Sequence, residues 1–461
     1  MNKTRTERDS MGELEVDINA LYGAQTQRAI NNFPVSGLKL PESFIRALLL
    51  VKSAAATANM TLAHLSKEKG HAINLAIDKL LADPNLMDHF PVDIYQTGSG
   101  TSTNMNANEV IANVASKICS EKIHANDHVN FGQSSNDVIP TAIHVSASIA
   151  LHNNLIPALK SLSNTIHIKA EELDAYTKNG RTHLMDAMPV RFSQSLNSWA
   201  TQIEQNIKHL KLLQPSIQRL AQGGTAVGTG INADPAFAKV FNTVLSDITG
   251  ITFKPSNDFF AAIGTQDTAV ALSGQLKTTA VSIVKIANDL RWMNSGPLAG
   301  LGEINLEALQ PGSSIMPGKV NPVIPESACM VGAQVIGHDA AITIAGQSGN
   351  FELNVMLPLI AHNLLSSIEL LANISALLAN KAIKTFTVNS QKINDTLARN
   401  PILVTALNSL IGYEKAAMIA KIAYQEGRPI IDVAEQHTDL ARDKLEILLN
   451  PIKLTKGGIP H

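Results

Sequence analysis

The stretch with the clearest capacity for chemistry spans residues 312–322 and reads GSSIMPGKVNP. It places two serine hydroxyls, a lysine and an asparagine amide close together, a set that can bind a small carboxylate. Gly312 and Gly318 permit backbone conformations that other residues avoid, so the segment could move as a lid. An ordinary surface loop rich in turn formers is the other interpretation. A phosphate-binding P-loop is excluded, because one residue too many separates the glycines and Val320 replaces the required Ser or Thr.

Other polar segments interrupt the apolar sequence. They read TGSGTSTNMNANE at 97–109, HAND at 124–127 and QSSND at 133–137. Small hydroxyl and amide residues either cap helices or direct donors at a ligand, and the sequence leaves both open. The segment GRTH ends at His183, one of 14 histidines, so a surface role competes with a catalytic one.

Long helices are predicted to position these segments. Apolar residues recur at helical spacing, and helices of this length must bundle to bury their stripes. No alternating strand runs of useful length separate them, so a parallel-sheet enzyme is not expected. The prediction is an all-α protein in three domains: residues 1–136 form an N-terminal helical domain, 137–389 a central long-helix bundle, and 390–461 a small C-terminal helical domain.

Composition narrows the function classes. A net charge of −2 with no basic run argues against nucleic-acid binding. Cys119 and Cys329 are the only cysteines, which fits a reducing compartment and excludes a thiolate zinc site. No Asp/His cluster has metal-ligand spacing, so no metal is expected. The first ten residues lack a secretion signal, and no uninterrupted apolar run reaches about 18 residues, so a cytoplasmic protein without a membrane span is expected.

The string GSSIMPGKVNP resembles the signature of the fumarase/aspartase superfamily of lyases. Segments beginning near Tyr22 and at residues 97, 124, 133, 180, 223, 285, 312 and 351 resemble that superfamily's blocks, in the same order, over nearly the whole chain. The resemblance implies an all-α, three-domain subunit with a central bundle. It also implies a homotetramer whose active sites are each built from three subunits.

Within the superfamily, the chain is most similar to the class II, iron-independent fumarases. His183 stands where aspartases carry glutamine, and Gly318 where they tend to carry alanine. The resemblance implies reversible hydration of fumarate to (S)-malate in the tricarboxylic acid cycle, without a cofactor. Aspartate ammonia-lyase or another lyase of the superfamily is the alternative, and an inactive binding or structural protein with the same fold is a further one.

The resemblance also implies a role for each site residue. Ser313 would remove the carbon-bound proton, which a hydroxyl can do only with backbone donors and positive charge nearby. His183, oriented by Glu326, would protonate the departing hydroxyl through a water. The implied substrate-binding residues are Ser99, Gly100, Thr101, Asn104, Ser134, Ser135, Asn136, Thr182, Ser314, Lys319, Val320 and Asn321.

A second, accessory dicarboxylate site is implied at His124, Ala125, Asn126 and Asp127. Fumarases usually read His-Pro-Asn-Asp there, so Ala125 is a departure. Ser102 and Ser195 also replace the common glutamine and glutamate.

Overall fold

The computed structural model describes residues 3–459, and helices make up most of them. The α-helices of this part are α1 (Ala24–Asn32), α2 (Glu42–Thr61), α3 (Lys67–Ala82), α4 (Thr101–Ala115), α5 (Ser135–Ala150), α6 (Ile156–Glu172), α7 (Phe192–Ile217), α8 (Phe237–Thr249), α9 (Phe259–Gly264), α10 (Asp267–Met293), α11 (Val323–Gly346), α12 (Leu357–Leu378), α13 (Ser390–Ala398), α14 (Asn408–Ile411), α15 (Tyr413–Glu426), α16 (Ile430–His437), α17 (Arg442–Leu448) and α18 (Pro451–Leu454). The predicted all-α class is therefore confirmed.

The strands of the described residues form five two-stranded sheets. Three of these sheets pair only two residues on each side. The strands are β1 (Thr4–Asp9), β2 (Gly12–Asp17), β3 (Thr177–Thr182), β4 (Met185–Arg191), β5 (Arg219–Leu220), β6 (Lys254–Pro255), β7 (Ile304–Asn305), β8 (Gly349–Asn350), β9 (Leu353–Asn354) and β10 (Thr387–Val388).

The chain divides into two compact units, each assembled from three stretches of sequence. Unit 1 comprises the described residues up to Pro157, with Ile207–Ala280 and Gly332–Ala372. Unit 2 comprises Ala158–Asn206, Val281–Val331 and the described residues from Asn373 onward. The three-domain division remains a prediction.

The core of unit 1 forms around α2, which packs against α3, α5 and α8. Pro41 precedes this helix and fixes a backbone angle compatible with a helix start. Phe44, Ile45, Leu48 and Leu49 recur at helical spacing and are all fully buried. Burial of this stripe, rather than helix propensity, is what stabilises α2 in the fold.

The helical stretch from Ser135 to Glu172 is divided in the structure. It forms as α5 and α6, joined by a single π-helical turn at Leu151–Leu155. Pro157 stands at the start of α6, where its missing N–H and its ring disturb the hydrogen bonds of the preceding turn. The π turn absorbs that disturbance without ending the helix.

Part of unit 2 has its own apolar cluster near the end of the chain. Buried residues of α15, α16 and α17 pack together there, including Ile419, Val433 and Leu445. These helices are short, as the more charged sequence after residue 390 predicts.

Two helices are long and apolar enough to cross a membrane by length and composition alone, Val323–Gly346 and Leu357–Ile383. Core helices of soluble proteins pass the same test, and 67% of the most apolar window of the second is buried. In the first helix, α11, only 33% of its own most apolar window is buried, although the helix is apolar on all sides. Charged and polar residues interrupt both sequences, so neither is an uninterrupted apolar run.

Candidate active site

Unit 1 carries the predicted substrate-binding residues that precede residue 137, and also the accessory motif. Unit 2 carries His183, Thr182, Glu326 and the loop at 312–322.

The first group in unit 1 forms the N-terminus of α4. Gly100, with φ of +71°, caps the helix, and a Cβ there would lie 2.9 Å from the Ile139 side chain. Glycine is therefore required both for its conformation and for its lack of a side chain. The Ser99 and Thr101 hydroxyls lie 2.8 Å apart. They are thus brought together at a helix N-terminus, where backbone N–H groups favour an anion.

The second group forms the N-terminus of α5. Ser134 caps this helix in a capping box with Asp137: the Ser134 hydroxyl accepts from the Asn136 backbone N–H, and the Ser134 N–H donates to Asp137 Oδ1 at 2.9 Å. Asn136 Nδ2 donates to the Ala226 carbonyl at 2.8 Å. Ser134 therefore caps the helix and also borders a cavity, and its role as a donor to a ligand remains a prediction.

A cavity of about 710 Å³ opens beside this turn. Asn104 of α4 lines it and donates to Ser135 Oγ at 3.1 Å. Ser135 therefore links the two helix N-termini, and polar groups converge on one space in unit 1. The other polar residues that line this cavity include Asn126, Asp127, Asn130, Gln133, Ser134 and Thr225.

Two fully buried charges behind the turn had no role assigned from the sequence. Asp137 Oδ2 accepts from Gln222 Nε2 and from the backbone N–H groups of Gly223 and Thr225, at 3.2, 3.0 and 2.9 Å. Burial nevertheless raises the pKa of Asp137 to about 6. Burial lowers the pKa of Lys52, on α2, to about 7.

The accessory motif forms a compact turn in unit 1. His124 precedes a π-helical turn at Ala125–Val129, and its backbone N–H donates to His128 Nδ1 at 2.9 Å. All four predicted residues line a second cavity of about 670 Å³. Asn126 and Asp127 line the 710 Å³ cavity as well, so this motif borders both spaces. Glu121 and Lys122 also line the accessory cavity, which gives it mixed charge.

In unit 2, the loop at 312–322 is closed by its own hydrogen bonds. Gly312 N–H donates to the Lys319 carbonyl at 2.8 Å, and Asn321 Nδ2 donates to the Gly312 carbonyl at 2.7 Å. A Cβ on Gly312 would lie 2.5 Å from the Lys319 carbonyl, so this crossing requires glycine. One N–H of the Asn321 amide hence holds the loop together.

The Ser313 hydroxyl has the backbone donors that a serine base would require. Its oxygen accepts from the backbone N–H groups of Ile315 at 3.2 Å and Met316 at 3.0 Å. Two donors aimed at Oγ stabilise negative charge that develops on it. Ser314 is exposed on the same loop.

Lys319 is exposed, and it lines a cavity of about 440 Å³ together with Val320, Asn321 and Glu326. Arg291 and Trp292 of α10 line the same cavity. Unit 2 thus brings Lys319, a predicted substrate-binding residue, and the carboxylate of Glu326 to one cavity.

His183 lies at the tip of the β3–β4 hairpin. His183 and Leu184 both have positive φ, 57° and 62°, and join the strands in a two-residue turn. This matches the mirror-image turn type that hairpins favour, but without the glycine or asparagine that usually occupies it. Left-handed conformations cost roughly 1 kcal/mol each in such residues, and this strain is typical of functional sites.

Buried charges hold the base of this hairpin. The Glu303 carboxylate is 2% exposed and accepts from Arg181 at 2.5 and 3.1 Å and from Lys178 at 3.3 Å. Burial lowers the pKa of Lys178. His183 and Arg181 line a cavity of about 540 Å³, and Thr182 is exposed beside them. The hairpin therefore presents His183 on a rigid base.

Some expected partners do not meet within one chain. In the described part of unit 2, no hydrogen bond joins His183 to Glu326, and they line different cavities. No group of three or more His, Cys, Asp or Glu among residues 3–459 could hold a metal ion. The residues missed from the sequence are Lys52, Asn130, Asp137 and Glu303. The signal for Lys52 was a lysine in register with the apolar stripe of α2.

Comparisons with known proteins identify relatives over the full length. A family model described as Lyase matches residues 12–337, and one described as Fumarase C C-terminus matches residues 403–456. The chain is 66% identical to a protein named fumarate hydratase class II 2 of Pseudomonas aeruginosa, covering 100% of both. It is 50% identical to the fumarate hydratase class II of Mycobacterium tuberculosis, covering 92% of this chain and 90% of that one. The crystal structure of the class II fumarase from Schistosoma mansoni matches with a TM-score of 0.95 at 36% identity, covering 98% of this chain and 99% of that one.

Proposed function

Because the chain belongs to the class II fumarate hydratase family and is therefore a lyase, we propose that it hydrates fumarate reversibly to (S)-malate with Ser313 as the base. Fumarate hydratase is the activity that the full-length similarity supports. The proposed residue roles rest on the geometry of the two units.

The single observation that carries the mechanism is the environment of Ser313. In the malate-to-fumarate direction, a base removes a proton next to a carboxylate, and the substrate becomes a dianionic aci-carboxylate. Two backbone N–H donors on Ser313 Oγ stabilise the alkoxide that must form. Lys319, exposed on the same loop, supplies a positive charge for the developing carboxylate charge.

His183 is the proposed acid at the other end of the substrate. It donates a proton, through a water, to the departing hydroxyl, and Glu326 orients it. Since no hydrogen bond joins these two within the described chain, the pair is proposed to form between copies. The two substrate carboxylates are bound by the helix N-termini of unit 1, with Ser99, Gly100, Thr101, Asn104, Ser134, Ser135 and Asn136, and by Thr182, Ser314, Lys319, Val320 and Asn321.

We propose a homotetramer in which active sites are shared between subunits. Helix α11 supports this, because it is apolar on all sides and only 33% of its most apolar window is buried in one chain. Met330 and Ile344 of this helix are 68% and 59% exposed. A stripe of this kind on a protein in water requires a partner, and other copies of α11 provide a matching apolar surface.

The proposed setting is the cytoplasm and the tricarboxylic acid cycle, with no nucleic acid or membrane as partner. The two free cysteines, Cys119 and Cys329, fit a reducing compartment. The accessory motif is proposed to bind a second dicarboxylate weakly, since Ala125 departs from the usual proline and the cavity carries Glu121 as well as Lys122. The ammonia-lyase alternative has no support from the relatives named above.

Two assays test the proposal. Purified protein should remove the ultraviolet absorbance of fumarate and form malate without added metal, while aspartate and argininosuccinate give no fumarate. Turnover of aspartate with malate untouched would overturn the assignment.

Mixing inactive variants tests the shared site. Ser313→Ala and His183→Asn should each be inactive alone, and dissociating and reassembling them together should restore part of the activity. Restoration arises because some mixed tetramers contain a site with both native residues. If the mixture stays inactive although tetramers have exchanged subunits, each site is built from one chain.

A further inference from the structure

The side chain of Lys52 is buried, whereas the charge of a lysine is normally solvated. It lies on α2, 0% exposed, in register with the fully buried Leu48 and Leu49. Its Nζ donates to Asn130 Oδ1 at 2.8 Å and to Gln133 Oε1 at 3.1 Å. Burying an ammonium group is costly, so a lysine here calls for a reason beyond packing.

Lys52 also lacks a close counter-ion. Among the described residues no carboxylate lies within ion-pair distance of Nζ, whose hydrogen-bond partners are neutral amides. Asp137, the other buried charge behind the turn, is already hydrogen-bonded by other groups: its oxygens accept from Ser134 N–H, Gln222 Nε2 and two further backbone N–H groups. The positive charge of Lys52 is thus only partly compensated within unit 1.

Hydrogen bonds connect Lys52 to Ser135. Asn130 Oδ1 accepts from Lys52 and, at 3.2 and 3.1 Å, from Asn104 and Asn108. This acceptor fixes the Asn104 amide, whose Nδ2 also donates to Ser135 Oγ at 3.1 Å. Because the Ser135 oxygen accepts there, its own hydrogen remains available to donate into the cavity.

Lys52 also acts on the turn by a second route. Gln133 Oε1 accepts from Lys52, while Gln133 Nε2 donates to the carbonyl groups of Val129 and Phe131. Asn130 Nδ2 donates in turn to the Gln133 carbonyl at 3.1 Å. The backbone that enters α5 is therefore held from the side of Lys52.

We propose that Lys52 is a positioning residue for substrate binding: through Asn130, Asn104 and Gln133 it sets Ser135 as a donor and places a positive charge behind the turn that receives a carboxylate. This inference rests on the proposed function, because it assumes a dicarboxylate ligand in the 710 Å³ cavity. Lys52 itself touches no ligand, since its side chain is fully buried.

The proposal links substrate binding to a proton on Lys52. Burial lowers its pKa to about 7, and the charge of Asp137 on α5 opposes that change. The groups that reach Nζ from the 130–133 segment are amides, and α4 reaches Asn130 through Asn104 and Asn108, which do not titrate. A dianionic ligand near the turn favours protonated Lys52, so free protein that has lost this proton should regain it on binding.

Steady-state kinetics across pH test this link. In the wild type, the KM for fumarate and for malate should rise as pH increases through about 7. Lys52→Met should raise KM roughly tenfold on the acid side and remove that rise, with a smaller effect on kcat. Asn59→Ala is the matched control: Asn59 is a buried polar residue of the same helix, and it donates to the Phe131 carbonyl at 3.0 Å without carrying a charge. This control should lower stability and leave the pH dependence of KM unchanged.

Calorimetry supplies a second readout. Succinate, a dicarboxylate that cannot be hydrated, should bind the wild type with proton uptake above about pH 7, measured by comparing buffers of different ionisation enthalpy. Lys52→Met should lack that uptake. If Lys52→Met does not fold, Lys52→Gln is measured instead. Proton uptake by the wild type on binding succinate still decides the question.

The outcomes separate the two proposals. Wild-type turnover of fumarate with no proton uptake, or with the same pH dependence in Lys52→Met, overturns the role of Lys52 and leaves the function standing. A wild type that neither hydrates fumarate nor binds succinate overturns both.

Discussion

The turn at 133–137 in unit 1 and the loop at 312–322 in unit 2 each contain paired serines and an asparagine but are held in opposite ways. Side chains of the turn are fixed by buried partners from other segments, as when Asp137 accepts from Gln222 and from the backbone of Gly223 and Thr225. In the described chain, hydrogen bonds of residues 312–320 stay within the loop. Other segments therefore hold the turn in place, whereas the loop can move as one body and carry the proposed base, Ser313, with it.

This difference predicts which changes affect activity alone and which affect stability too. Loop variants should lose turnover and keep the fold, because few contacts outside the loop depend on them. Variants behind the turn should change both, because the same hydrogen bonds hold the fold and the site.

The largest effect is expected for Ser313→Ala. Removing the proposed base should lower kcat by roughly 10²–10⁴-fold while the unfolding midpoint stays unchanged, because the hydroxyl bonds only to its own loop. Stopped assays with malate and a thermal melt measure the two quantities. Ser161→Ala, at an exposed position of α6, is the control and should match the wild type. Turnover that survives in Ser313→Ala would assign the base to another residue.

Gly312→Ala tests whether loop closure matters separately from the base. Its Cβ would meet the Lys319 carbonyl at 2.5 Å, so the crossing must open and Ser313 must shift. A displacement of this size should lower kcat/KM by roughly 10–100-fold. Gly318→Ala is the matched variant: φ is +83° but no atom lies within 4 Å of the added Cβ, so strain without a clash should cost only a few-fold. Equal effects in the two variants would show that the crossing is unimportant.

The sequence predicted more about the loop at 312–322 than about the turn at 133–137 and Lys52 behind it. The segment at 312–322 is contiguous and resembles the superfamily's signature, and that resemblance implied the roles of Ser313 and Lys319. Lys52 could not be assigned in the same way, since its partners Asn130 and Gln133 lie about eighty residues along the chain. Its one visible signal was a lysine in an apolar register, which a snorkelling side chain at the edge of a core also produces.

The helical class followed from the periodicity of apolar residues. The β3–β4 hairpin did not, because its turn residues, His183 and Leu184, are not the glycine or asparagine typical of a tight hairpin. Tertiary contacts impose that turn: Arg181 and Lys178 are held by Glu303, more than a hundred residues later in the chain. Local sequence preference could not reveal it.

Asp137→Asn should affect stability and binding together. An amide cannot accept at both oxygens, so its nitrogen must face backbone N–H donors of the turn or of Gly223 and Thr225. We expect the free energy of unfolding to fall by about 2 kcal/mol at neutral pH, with KM raised. Denaturant titration and steady-state kinetics measure these. Asp247→Asn, at an exposed position of α8, should change neither. A variant with full stability would mean that the turn is not held by this carboxylate.

Lys52 should also make the stability of the folded chain depend on pH. Because its pKa falls from 10.5 to about 7 on folding, the folded chain binds this proton less tightly than the unfolded chain does. The stabilisation from neutral Lys52 is present above 10.5 and is lost as pH falls through about 7. The melting temperature of Lys52→Met, relative to wild type, should thus be highest near pH 7 and fall by on the order of a few degrees toward pH 10. The titration of Asp137 does not overlap with this pH range. Its pKa is raised from 3.8 to about 6, so it removes stability as pH rises between those two values, below the range of the measurement. If the melting temperatures of the two proteins change by the same amount from pH 7 to about 10, Lys52 keeps an ordinary pKa in the fold.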